Sequence, residues 1–294
     1  MILGCKMKYD IPIKMKPSTH KPLFLIFDCE SSGYSKYRPR HIEAGFNIED
    51  IKWQYKDWVR MVQIAWAIHD AQGKCLHYND YIVKPSGFKI TDVHYNVHGI
   101  NTALAENQGI PAKEVLQVFS EDVKKVDYVV AHYGGFDIGL VTSECHHAGI
   151  DHPFTPGENN CKFLDTKSHQ LGYLNRNRAR NRQQQQNYLF NNAGYERKKT
   201  QWGNKKGPGL LRLHRILFGE DVPDQHNATR DVVATARCFF EMLRRGMYTI
   251  HDPEFPAEKH NKLVEDLNRI HKGKVQSTHR PHVNLRSMSE AYEL

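Results

Sequence analysis

No stretch of this 294-residue chain approaches the roughly 18 consecutive apolar residues that a membrane-spanning helix needs. The first 21 residues hold five lysines, which break up the apolar side chains, and lack the continuous apolar core of a secretory signal. A cytoplasmic protein with no membrane partner is therefore expected. The six cysteines (Cys5, Cys29, Cys75, Cys145, Cys161 and Cys238) include no C-x-x-C pair. They read as reduced thiols, not as a disulfide framework. His94 and His98 have a His-x₃-His spacing, and Cys145, His146, His147 and His152 cluster in sequence. Without paired cysteines to complete a tetrahedral set, structural zinc is not the expected reading. No internal repeat is visible.

One segment nearly lacks acids. Residues 175–206 hold nine lysines and arginines, Arg176, Arg178, Arg180 and Arg182 among them, against Glu196 alone. The rest of the chain has 32 basic and 32 acidic residues, so this segment carries the whole net charge of +8. It is also rich in Asn and Gln and reads as a low-complexity insertion. Such concentrated charge suits a polyanion such as nucleic acid, although a solvated loop has the same composition.

What is present is a globular composition, 39% apolar and 25% charged. Residues 23–29 (LFLIFDC), 61–69 (MVQIAWAIH) and 75–83 read as strands. The turn signal at 70–73 joins the last two as a hairpin. Residues 128–131 and 163–164 read as short strands. Helices are expected over 111–125 (apolar at Val115, Val118, Phe119 and Val123), 136–148, 166–171, 209–218, 228–245 and 256–270. Three strands followed by strand–helix alternation predict a mixed α/β sheet. The division expected is a basic extension over 1–21, a main domain over 22–250 and a C-terminal helix and tail over 251–294.

Three motifs carry candidate chemistry. Asp28 and Glu30 end the first strand on one face, because strand side chains alternate. Two adjacent carboxylates repel unless a hard cation lies between them, although solvated strand-end acids would look the same. Asp137 follows His132-Tyr133-Gly134-Gly135-Phe136, where a strand turns into a helix; it is a site acid or a compensator of the helix dipole. His226 and Asp231 open the helix at 228–245, with Asn227 as the alternative explanation, a cap.

In this order, D-x-E, strand–glycine turn–F-D and H-x-A-x-x-D, the motifs resemble the DEDDh 3′→5′ exonuclease family, which includes the DnaQ-type proofreading exonucleases. Gln63-Ile64, Lys84-Pro85, His98-Gly99-Ile100 and Leu164-Asp165-Thr166 match smaller features. The resemblance spans about 22–246 and implies a ribonuclease H-like mixed sheet flanked by helices. It implies that Asp28, Glu30, Asp137 and Asp231 hold two divalent ions, Mg²⁺ or Mn²⁺, with His226 as general base. It also implies that His98, Gly99, Ile100 and Phe136 contact the terminal nucleotide of a DNA or RNA 3′ end. A catalytically silent or partner-dependent binding subunit is the alternative.

The chain departs from the family at Tyr133, where Asn is usual, and in two insertions. The first, 34–60, contains Tyr34, Tyr37, Phe46, Trp53, Tyr55 and Trp58 among Arg38, Arg40 and Arg60. It could stack bases, fold on itself or, like 251–294, meet a protein partner. For the second, 175–206, the expectation is contact with the substrate's phosphate backbone through Arg176, Arg178, Arg180 and Arg182, weakening with salt.

Overall fold

A computed structural model describes residues 22–33, 58–154, 162–167, 208–222, 227–250, 252 and 255–275. The expected basic extension, 1–21, and residues 276–294 of the expected C-terminal segment 251–294 lie outside these residues. So do His226, most of 34–60 and all of 175–206, including Arg176, Arg178, Arg180 and Arg182.

Five strands form one mixed sheet: β1 (Phe24–Ser31), β2 (Met61–His69), β3 (Cys75–Ile82), β4 (Tyr128–Ala131) and β5 (Lys162–Asp165), in the order β3-β2-β1-β4-β5. β1 is antiparallel to β2 and parallel to β4, and β2–β3 is the expected hairpin. β4 pairs with β5 in parallel. This is the expected α/β sheet with ribonuclease H-like architecture.

Alternation along β1 explains its central place. Phe24 and Ile26 face one core, which also holds Val232, Val233, Ala236, Phe239 and Leu243. Leu25, Phe27 and Cys29 face the other, with Val115, Phe119, Ile138 and Val141. Seven helices are described: α1 (Asp92–His98), α2 (Thr102–Gln108), α3 (Ala112–Val123), α4 (Gly135–Ala148), α5 (Leu210–Phe218), α6 (Ala228–Arg244) and α7 (Ala257–Val275). α6 lies across β1 and β2 with α5 and α7 beside it, and α3 packs with α4 on the opposite face. Burying each large apolar side chain of the α6 stripe contributes on the order of 1.5–3 kcal/mol, which outweighs the helix's modest intrinsic propensity.

Several expectations change. α1 and α2 occupy a region to which the sequence assigned no helix; each is seven residues long, too short to show periodicity. In α3, Val118 is exposed, and the buried positions include Leu116 and Asp122 instead. Asp122 tolerates burial because its carboxylate accepts the Trp66 indole N–H at 2.8 Å and Lys125 Nζ at 2.7 Å. Leu263 and Leu267 of α7 belong to the same core as Phe24 and Phe239. Truncation intended to probe a docking tail should therefore begin after residue 275, leaving α7 in place.

The returning end of the first insertion is structural. Trp58 is buried against Phe136, with ring centroids 6.3 Å apart. A Cβ on Gly139 would meet its indole at 2.0 Å. Arg60 makes a two-pronged pair with Glu144 (2.6 and 3.1 Å) and donates to the Ser86 carbonyl. Of the three readings open for this insertion, these contacts give Trp58 and Arg60 an anchoring role and not a place in a base-stacking wall. They fasten the insertion's root to α4 at Gly139 and Glu144, within about two turns of Asp137. Gly139→Ala should cost about 1–3 kcal/mol through overpacking, and thermal unfolding would show a lowered melting temperature.

Candidate active site

The carboxyl end of β1 lies where the sheet changes from antiparallel to parallel, the usual position for a site in an α/β sheet. Phe24 and Ile26 lie beneath α6, and the same alternation carries Asp28 and Glu30 out beyond that core. Asp231, in the first turn of α6, meets them there. Carboxylate oxygens of Asp28, Glu30 and Asp231 lie within 4.8 Å of one another.

Asp137 approaches from the other face, in the first turn of α4. Its Oδ1 accepts the Cys29 N–H at 3.0 Å, between the two acids of β1. Asp165, ending β5, holds the intervening turn: its Oδ1 accepts the N–H groups of Tyr133 and Lys167, both at 2.8 Å.

The electrostatics follow from crowding. Burial holds the Asp28 carboxyl well above the usual carboxylate range, and the charges of Asp137, Asp231 and Glu30 add to it. Burial, then Asp231 and Asp137, pushes Glu30 up to about 8. Asp137 is raised to about 7, mainly by burial; Asp165 and Asp231 raise it further, against the pull of the Cys29 N–H and its own N–H. Buried acids in this state are under-compensated and call for positive charge. The donors are all hard oxygens, so the cluster fits Mg²⁺ or Mn²⁺.

Asp28 and Asp231 line a cleft of about 420 Å³ with His132 and the start of α5, from Gly209 to Arg212. His132 is held neutral, its imidazole lowered to about 3 by burial and then by Lys167, with the Pro208 carbonyl opposing. Its Nδ1 lies 2.8 Å from Thr166 Oγ1.

Tyr133 is the one described non-glycine residue with positive φ, at 65°. That conformation suits Gly or Asn, and a bulky residue there is strained. The strain is held by the Asp165 bond and by Lys167, whose Nζ lies 3.8 Å from the ring centre. Tyr133→Asn should relieve it and raise stability by about 0.5–1 kcal/mol, net of the lost cation–π contact. Denaturant unfolding checks this; a lower midpoint would show that ring packing outweighs strain.

The remaining expected residues are placed as follows. His98 ends α1 buried, its Nδ1 accepting the Ile100 N–H at 3.2 Å. Gly99 is the left-handed cap, and Ile100 packs in a small core with Val62, Ile90 and Ala105. Phe136 is half-buried against Trp58. Among the described residues, the carboxylate trio is the one converging set of metal-ligand type, so His146, His147 and His152 assemble no such site. Cys29, Cys75, Cys145 and Cys238 are free. The sequence reading named His132, Gln63 and Asp165 only as parts of motifs, with no site role, and did not single out Arg212 or Asp80; Gln63 and Asp80 are polar residues under α6. The signal for Gln63 was a lone amide inside an otherwise apolar strand core.

No protein-family model matches the chain, and no curated protein matches it in sequence. Solved structures do. E. coli exonuclease I in complex with a dT13 oligonucleotide superposes with a TM-score of 0.53 at 15% identity, covering 76% of this chain and 41% of that one. A complex of the same enzyme with a dA16 oligonucleotide gives 0.53 at 14% identity, covering 87% and 45%. The moderately thermophilic exonuclease I from Methylocaldum szegediense gives 0.51 at 16%, covering 76% and 40%. The chain thus spans less than half the length of these proteins and shares their fold: a five-stranded mixed sheet flanked by helices.

Proposed function

We propose that the chain is a metal-dependent 3′→5′ exonuclease of the DEDDh type, acting on the 3′ end of DNA or RNA. The observation that carries this is the convergence of Asp28, Glu30 and Asp231 at the carboxyl end of the central strand. Its setting supports the reading. Asp137 is hydrogen-bonded to the backbone between the first two acids, in a fold shared with exonuclease I, which has been solved with bound oligonucleotides and in a zinc-bound form.

In this reading Asp28, Glu30, Asp137 and Asp231 hold two divalent ions, Mg²⁺ or Mn²⁺. Such ions, when bound, acidify an attacking water and stabilise the leaving 3′ oxygen. The protein's own part is to gather four carboxylates that would otherwise repel. His226 takes the proton from the water, since an imidazole titrates near neutrality. The products are nucleoside 5′-monophosphates. The cleft between Asp28, Asp231 and the start of α5 is an open approach to the acids. His98, Gly99, Ile100 and Phe136 border the terminal nucleotide, and Arg176, Arg178, Arg180 and Arg182 hold the backbone further along.

The test is degradation of 5′-labelled single-stranded DNA and RNA oligonucleotides with Mg²⁺ or Mn²⁺, beside an EDTA control. A ladder shortening from the 3′ end, abolished by EDTA, is expected. Tight binding without cleavage under either metal would replace this reading with a nucleic-acid-binding subunit.

A further inference from the structure

We infer that Gln63, braced by Asp80, is a positioning residue that sets Asp231 against Asp28 and Glu30. This rests on the functional reading above and deepens it. α6 starts without a local cap: Asn227 occupies the N-cap position, but its side chain makes no capping bond. The first turn of a helix has N–H groups in need of partners. Here one is satisfied from the sheet, because Ala228 N–H donates to Gln63 Oε1 at 3.3 Å, 165 residues away in sequence.

The amide's orientation follows from its partners. An N–H can only donate, so the oxygen faces Ala228. That leaves Nε2 for an acceptor, and it donates to Asp80 Oδ1 at 2.8 Å. The other oxygen of Asp80 accepts the Thr229 hydroxyl at 2.6 Å. Two side chains of the β2–β3 hairpin thus grip the first turn of α6 through two hydrogen bonds, with a third bracing them against each other.

The register makes this grip relevant to the acids. Gln63 pairs directly with Glu30 across β1–β2, so both side chains stand on the face that carries α6. Asp80 pairs with Ala65, which itself pairs with Asp28. Asp231 follows Ala228 by three residues, less than one turn. Movement of that turn by a fraction of an ångström would change the carboxylate spacing directly. Gln63 is 3% exposed, which shields the bridge from competing water.

The experiment is Mn²⁺ titration calorimetry on the full-length protein, well below each variant's melting temperature. The variants are Gln63→Leu, Thr229→Val and the exchange Gln63→Glu with Asp80→Asn. Gln63→Leu removes both amide bonds at similar volume. The exchange keeps net charge and all three bonds, reversing only the one between positions 63 and 80: the introduced carboxylate accepts Ala228 N–H and the introduced amide N–H, while the amide oxygen accepts the Thr229 hydroxyl. Gln63→Leu should weaken Mn²⁺ binding about 10–100-fold, as supporting residues of metal ligands do. The exchange should restore affinity to within about threefold of wild type.

Equal affinity in wild type and Gln63→Leu would overturn the inference, as would weakened binding in a folded exchange variant. Should Gln63→Leu not fold, the surface change Thr229→Val carries the test, and unchanged affinity there counts against the inference. A wild-type protein that binds no Mn²⁺ would overturn the functional reading and this inference together; equal binding overturns the inference alone.

Discussion

On the function proposed above, Asp28→Asn should lower exonuclease turnover about 10³-fold, because losing a proposed metal ligand would forfeit several kcal/mol of charge stabilisation and each 1.36 kcal/mol is tenfold. The same change should stabilise the metal-free protein. Asp28 lies in the cleft beside Asp231, among buried acids that hold its carboxyl well above the ordinary range. In the unfolded chain an aspartate ionises freely at neutral pH. In the metal-free fold it must stay protonated or suffer its neighbours' repulsion, and either costs stability. An amide of the same shape carries no such penalty, so a gain of about 0.5–2 kcal/mol is expected, typical of relieving a functional strain. Steady-state cleavage of a labelled oligonucleotide and thermal unfolding in EDTA read the two effects. Turnover within tenfold of wild type would remove Asp28 from the site. A lower melting temperature would mean that the carboxyl group has a packing role outweighing its electrostatic cost.

These opposed effects bear on what could be read in advance. Elements with a strong local pattern were legible. β2 and β4 occupy the residues their apolar runs predicted, and α6 fills the expected range to within a residue, ending just before Gly246, whose φ is 66°. Period-two alternation was enough to put Asp28 and Glu30 on one face. Elements seven residues long were not legible, because α1 and α2 are too short to show a helical period. The alternative reading of Asn227 as a cap holds for its position but not for its side chain, which makes no capping bond. Asn227 is the right residue type locally, but the hairpin supplies a buried acceptor from Gln63, and tertiary geometry overrides local chemistry. Trp58 and Arg60 belong to an aromatic and basic stretch, and composition alone cannot tell an anchor from a binding wall. Only the packing of Trp58 on Gly139 and the Arg60–Glu144 pair reveals the anchor. Tyr133 shows the converse. The resemblance flagged it as a departure from Asn, and the backbone gives the reason Asn is suited there: φ is positive.

The second large effect is a stability that depends on pH in the metal-free protein and is released by metal. Glu30 and Asp137 are raised from ordinary values of 4.5 and 3.8 to about 8 and about 7. Because the folded state binds these protons more tightly than the unfolded chain, the contribution is fully present below the ordinary values. It is lost as pH rises through the folded ones. Metal-free protein should therefore lose melting temperature between pH 5 and pH 8, by roughly 5–10 °C if the effect amounts to a few kcal/mol. A divalent cation competes with those protons for the same oxygens. At pH 8 it meets ionised carboxylates whose repulsion it removes, whereas at pH 5 it must first displace protons. Millimolar MnCl₂ should accordingly raise the melting temperature several-fold more at pH 8 than at pH 5, and in Asp28→Asn the difference should shrink. Burial is the leading cause of both raised values. Salt should therefore reproduce little of the metal's effect, since screening acts weakly on buried groups. Equal metal-induced shifts at the two pH values, or a matching shift from NaCl, would show that the cluster does not bind metal through these carboxylates.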